Sequence, residues 1–215
     1  MVREIRMNKR KGKISKENIL EKISGRVAVF IDAANLEKSV MDLGTKPPQI
    51  KRIPKEFHWK ALPKGHFKVD YKKLYKLFKE NSELVSISFY SARFNTKSHD
   101  DFLTFLKRNK YRLITKLVKE ISVNATTHIR KANFDVEIAV DAVAWIRNYD
   151  ICVLFSGDSD FAYLLSFLKR KKKKVIVISE RGHVSKELVK VADIYKDLHA
   201  FKEDFIVVKT QKSRS

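Results

Sequence analysis

Cysteine occurs once, at Cys152, proline four times and glycine six times. No apolar run approaches the roughly 18 residues that a membrane-spanning helix needs. A single thiol excludes a disulfide framework and a cysteine-based zinc site, and Ile151, Val153 and Leu154 around it mark a small apolar residue inside a strand. His58, His66, His99, His128, His183 and His199 include no i, i+4 pair suited to one helix, so zinc is not expected. Acid is also scarce, with 25 Asp and Glu against 46 Lys and Arg, a formal charge of +21. Such a surface attracts polyanions, nucleic acid first, although lysine-rich composition alone does not decide the matter. The basic N-terminus lacks the apolar stretch of a secretory signal, and a soluble, cytoplasmic protein without membrane contact is expected.

The chain divides by composition. Residues 1–24 hold eight Lys and Arg against three Glu and read as a flexible basic arm. Residues 25–200 read as one domain, interrupted at 45–69 by an insertion that contains Pro47, Pro48, Pro54 and Pro63. Residues 201–215 form a tail in which Phe205 to Lys209 could add an edge strand. Within the domain, strands are expected near 26–32, 84–90, 111–119, 150–156 and 174–178. Helices are expected near 35–42, 71–81, 99–109, 134–147, 160–170 and 184–193, and 120–132 reads as a polar connection. This alternation implies right-handed crossovers and a parallel sheet covered on both faces, a three-layer α/β/α sandwich.

Two of the apolar strands, Val27–Ile31 and Ile151–Phe155, end in carboxylates: Asp32 after the first, Asp158 and Asp160 after the Ser156-Gly157 turn of the second. In open α/β sheets ligands bind beyond the carboxyl ends of strands, where the strand order reverses. A helix N-cap accounts for one acid at 158–160, not for two plus Asp32. On the helix near 134–147, Asp135 falls in line with Ala139, Ala142 and Ile146, so it points inward, although a first-turn acid also serves as a cap. Asp141 lies about 120° away beside Glu137, on the polar stripe, where a solvated residue is the simpler reading. If Asp32, Asp135, Asp158 and Asp160 meet, each pair at about 5 Å repels by roughly 3 kcal/mol at an effective dielectric near 20. A divalent cation offsets this, and an oxygen-only ligand set suits Mg²⁺ or Mn²⁺. Such an ion acidifies a bound water and neutralises charge on a phosphodiester, which points to phosphodiester hydrolysis.

The segments Phe30-Ile31-Asp32-Ala33-Ala34-Asn35-Leu36, Lys131 to Ala142, Ser156 to Phe161, and Ser185 to Asp193, in that order, resemble the NYN family of PIN-like domains, specifically its LabA-like (DUF88) branch. The resemblance implies parallel strands in the order 3-2-1-4-5 and a metal-dependent ribonuclease acting on RNA, single-stranded and endonucleolytic by expectation. It also implies Asp32 and Asp158 as principal metal ligands, Asp135 completing the cluster, and Asp160 holding a second ion or orienting water. Asn35 and Ser156 would support them, and the family pattern has an acid at Asp141. This sequence departs from the family pattern in having Asn133-Phe134 where a Gly-Val pair is common, and in its basic insertion at 45–69.

Candidate RNA contacts are Lys51, Arg52, Lys55 and Trp59 in the insertion, together with Lys131, Lys169 and Arg170. Cations interleaved with aromatics suit backbone contact plus base stacking; equally, Phe57, Trp59 and Phe67 could pin the loop to the core. The run Lys169–Lys174 also reads as a solvated helix end. An RNA-binding or regulatory module with little turnover is the alternative to the enzyme. A haloacid-dehalogenase phosphatase fits poorly, because Ala34 and Ala162 stand where its motifs need acids.

Overall fold

Strand β1 (Ile23–Asp32) shows why the core has two faces. Its alternate residues point to opposite sides of the sheet. Val27, Val29 and Ile31 enter one apolar cluster, while Ala28 and Phe30 enter the other. The computed structural model describes residues 23–43, 66–122 and 128–209, so the basic arm up to residue 22 and the insertion from 44 to 65 lie outside it.

After β1 the chain forms α1 (Ala33–Asp42), β2 (Phe67–Val69), α2 (Tyr71–Asn81), β3 (Ser82–Arg93), α3 (Lys97–Arg108) and β4 (Arg112–Leu117). A short antiparallel ribbon, β5 (Lys119–Ser122) with β6 (His128–Lys131), leads to α4 (Asp135–Ala144). Then come β7 (Ile151–Phe155), α5 (Ala162–Arg170), β8 (Lys174–Ser179), α6 (Lys186–Val191), β9 (Ile194–Asp197) and β10 (Ile206–Val208). Short 3-10 turns occupy Ser159–Phe161 and Leu198–Phe201.

The main sheet has the order β4-β3-β1-β7-β8-β9, and every neighbouring pair is parallel. The five strands expected from the sequence take the 3-2-1-4-5 order, and the structure adds a sixth, β9, beyond β8. Ile194-Tyr195-Lys196-Asp197 is short and half polar, so its periodicity carries little signal. Helix α6 is correspondingly shorter than expected: Ser185 caps it by accepting the Leu188 N–H at 3.1 Å, and it stops at Val191. The connection read as polar contains the β5–β6 ribbon. Strand β10 pairs with β2 in a separate ribbon rather than at the edge of the main sheet.

Helices α1, α2 and α3 cover one face through Leu36, Val40, Leu74, Phe78 and Leu106, and α4, α5 and α6 cover the other through Ile138, Ala142, Leu165, Leu168 and Leu188. Both faces of β7 are therefore buried, which is why Ile151-Cys152-Val153-Leu154-Phe155 is apolar throughout. Helix α2 shows the local logic in full. Asp70 caps it by accepting the Lys73 N–H at 3.1 Å, and Leu74 and Phe78, spaced by one turn, are both fully buried. Burying each such side chain contributes about 1.5–3 kcal/mol. Among the described residues no helix is long and apolar enough to cross a membrane.

Candidate functional site

The chain reverses its direction across the sheet between β1 and β7. From β1 it builds outward through β3 to β4, then returns to β7 on the other side of β1. The register pairs Ile31 with Phe155, so Asp32 and Ser156 leave the two strands side by side. The carboxyl ends of these neighbours open the crevice in which α/β proteins hold ligands.

Asp32 caps α1: one carboxylate oxygen accepts the Asn35 N–H at 3.2 Å, and the other accepts the Ser156 hydroxyl at 3.3 Å. The Asn35 side chain crosses to the second strand, where its Oδ1 accepts the Gly157 N–H at 3.0 Å. Ser156 Oγ also accepts the Asp158 N–H at 3.3 Å, and Asp158 in turn caps the 3-10 turn by accepting the Asp160 N–H at 3.1 Å. Capping and clustering are thus combined in one residue rather than being alternatives.

Gly157 is required by close approach. A Cβ there would stand 2.1 Å from the His183 carbonyl oxygen and 2.8 Å from Ser179 Oγ. The turn after β8 lies directly on it, tied by a Ser185 N–H donated to the Gly157 carbonyl at 2.9 Å. His183 anchors that turn further, with Nε2 3.0 Å from Asp42 Oδ2 at the end of α1.

Asp135 enters from the other core face. It stands one turn before Ile138 and two before Ala142, the buried positions of α4, and is itself half buried. The helix begins at Asp135 with Phe134 as its cap, so Asp135 is not the capping residue. Asn133 grips it twice, donating from Nδ2 to Asp135 Oδ2 at 2.6 Å and accepting the Asp135 N–H at 3.1 Å. Lys116 of β4 holds the same corner by donating to the Asn133 carbonyl at 3.0 Å and pairing with Glu137.

These elements bring Asp135, Asp158 and Asp160 together, with one carboxylate oxygen from each lying within 4.8 Å of the others. Asp32 adjoins them closely enough to feel both Asp135 and Asp158. Its pKa is raised, chiefly by burial, and the two neighbouring carboxylates add to the rise against the hydrogen bonds from Asn35 and Ser156. The donor set is all oxygen. Ligands on one Mg²⁺-sized ion at about 2.1 Å stand about 3 to 4.2 Å apart in octahedral geometry. Asp158 and Asp160 are exposed, so small rotations bring the trio into that range, and the residues fit a hard divalent cation.

Asp141 is directed elsewhere. It accepts the Tyr90 hydroxyl at 2.7 Å and two Arg112 bonds at 2.6 and 3.2 Å. Burial alone would raise its pKa, yet the bonds from Arg112 and Tyr90 prevail and lower it. The polar stripe read as solvated is therefore a tether between α4 and strands β3 and β4. Lys169 likewise has local work, with Nζ 2.9 Å from the Val191 carbonyl and 2.8 Å from Asp193. Arg170 lies over the Tyr163 and Phe167 rings at 5.7 and 5.8 Å. Both cations stand at the end of α5 far from Asp160, about 15 Å along the helix. Lys131 closes β6 opposite Lys119. Lys51, Arg52, Lys55 and Trp59 lie outside the described residues.

Asn133, Lys116 and His183 escaped the sequence reading. Asn133 carried a usable signal, since an Asn two residues before a helix-starting acid forms an Asx turn. The other two are held by partners 17 and 141 positions away, which no local pattern reveals.

Comparison with known proteins agrees with this architecture. The NYN domain family model matches residues 26–199. The low amplitude and bright protein LabA of Synechococcus elongatus is 33% identical over 119 residues, covering 54% of this chain and 64% of that protein. A crystal structure of a protein of unknown function from Vibrio parahaemolyticus has the same fold, with a TM-score of 0.62 and 21% identity over 85% of this chain and 96% of that one. With the family model spanning both strand-end acid motifs and α4 between them, the chain belongs to the NYN domain family, a family of PIN-like nucleases, and its domain is LabA-like.

Proposed function

We propose that the protein is a Mg²⁺- or Mn²⁺-dependent ribonuclease that hydrolyses phosphodiester bonds of single-stranded RNA, endonucleolytically. One observation carries the reading: Asp135, Asp158 and Asp160 converge within 4.8 Å beside the half-buried Asp32, at the reversal point of the sheet. Carboxylates from three separate segments do not gather for solubility.

The electrostatics support an ion at this position. The chain carries +21 overall, which draws a polyanion to its surface. The crevice itself is anionic and repels phosphate unless a cation stands between them. When bound, a divalent ion supplies Lewis acidity and a water of lowered pKa. Asp135 and Asp158 would hold it, with Asp32 and Asp160 alongside. Asn133 and Ser156 keep the carboxylates aimed, and the Asn35 bond to Gly157 keeps the two strand ends at fixed separation. Asp160, which is exposed, would accept a proton from an attacking water.

The test is incubation of the purified chain with single-stranded RNA and Mg²⁺ or Mn²⁺, beside Asp158→Asn. Cleavage by the unaltered protein alone is expected. Equal cleavage by both would identify a contaminant and overturn the reading, while salt-sensitive binding without products would favour a regulatory RNA-binding module.

A further inference from the structure

A second feature opens on the carboxyl edge of the sheet, on the opposite side of Asp32 from the Ser156–Asp160 turn. Asp32 pairs in register with Tyr90 of β3, and Ser91, the next residue, begins the wall of a groove of about 1020 Å³. Adjacent strands stand about 4.8 Å apart, so the groove starts one strand away from the acids. Its size lies just above the usual range of small-ligand sites, about 300 to 1,000 Å³.

The lining combines an exposed aromatic ring with polar side chains. Phe94 remains 40% exposed and meets the His99 ring edge to face, with centroids 5.1 Å apart at 88°. His99 Nε2 is buried and has no hydrogen-bond partner among the described residues. Glu37 faces the groove from α1, and Ser91 and Asn95 add short polar groups. The Glu37 carboxylate accepts one bond, from the Tyr71 hydroxyl at 3.2 Å, and a carboxylate offers about four acceptor sites. The rim is held in place because Arg93 binds Asp100 at the start of α3, with Nε 3.2 Å from Oδ1.

We propose that this groove is a nucleobase pocket selective for guanine, taking a base next to the scissile phosphate; it rests on the ribonuclease reading for the placement of that phosphate. Single-stranded RNA is read by stacking bases on aromatic side chains and by hydrogen bonds to their edges. Phe94 supplies the ring. Guanine presents two adjacent N–H donors, at N1 and N2, which match the two oxygens of Glu37. Adenine, cytosine and uracil offer no such pair, so the free Glu37 lone pairs select against them.

Binding measured without divalent metal separates this proposal from catalysis. Fluorescence anisotropy would compare a labelled 12-nucleotide oligouridylate with the same strand carrying one central guanosine or one adenosine. The guanosine strand is expected to bind about tenfold tighter, the size of one good bidentate contact. Glu37→Gln should bring the three strands to within about twofold, because it exchanges one acceptor for a donor, while Phe94→Ala should weaken all three. Both residues are exposed, so the fold survives either change. Equal affinity for the three strands, a preference for adenosine, or a guanosine preference that persists in Glu37→Gln would overturn the proposal. Guanosine preference without metal-dependent cleavage would leave the pocket standing and defeat the ribonuclease reading. Cleavage without base preference would do the reverse.

Discussion

Asn35 Oδ1 accepts the Gly157 N–H at 3.0 Å, so the helix that follows Asp32 is bonded directly to the turn that carries Asp158. Residues 122 positions apart are fixed by one side chain. Asn35→Ala leaves a buried N–H unpaired and should cost about 1–3 kcal/mol of unfolding free energy. Asn35→Asp keeps an acceptor but adds a charge beside Asp32, so it should restore part of that loss at low pH, where the added carboxyl carries less charge. Denaturant melts of the two variants check the order; equal stabilities would show that the bond carries no weight.

Gly157 tolerates no side chain while the turn after β8 stays in place. Gly157→Ala puts a methyl group against backbone rather than against a movable side-chain tip, and should destabilise by about 3 kcal/mol. The turn must otherwise shift and break the Ser185 bond to the Gly157 carbonyl. Hydrogen exchange at the Ser185 amide would register that shift as lost protection.

Asp32 predicts an unusual sign. Its folded-state pKa is raised by burial and by Asp135 and Asp158, so the metal-free fold binds the proton more tightly than the unfolded chain. This contribution is fully present below the ordinary value of 3.8 and is lost as pH rises through the raised pKa. Asp32→Asn removes that loss. Near neutral pH and without divalent metal it should melt higher than the parent protein, with the difference vanishing toward pH 3. Added Mn²⁺ should raise the melting temperature of the parent more than that of the variant. A variant less stable at every pH would contradict this.

Asp141 should behave in the opposite way. With its pKa lowered, it stabilises above the ordinary carboxylate range and loses that contribution as pH falls through its folded value. Asp141→Asn weakens the Arg112 and Tyr90 bonds and should cost about 1–3 kcal/mol, with an unchanged response to Mn²⁺. A lost metal response in this variant would return Asp141 to the site.

The layer architecture was legible because β1, β7 and β8 are buried on both sides and must be apolar, and because the helices between them have clear stripes. Asp32, Asp135 and Asp158 stood out for a related reason: acids that interrupt or end such patterns are conspicuous. What stayed hidden depends on tertiary partners. Spacing put Asp141 on a polar stripe, but nothing local announces that Arg112, 29 residues earlier, comes to meet it. Strand β9 and the β5–β6 ribbon are too short for periodicity to register. The groove between Glu37 and His99 is assembled from α1, β3, α3 and β4, none of which looks unusual alone.

Diffraction from crystals grown in Mn²⁺ shows whether Asp135 and Asp158, carried by separate segments, hold one divalent ion. An anomalous peak about 2.1 Å from oxygens of Asp135 and Asp158 is expected, and it should be absent in Asp158→Asn. Crystals with no such peak between these residues, or with Mn²⁺ bound only elsewhere, would contradict it.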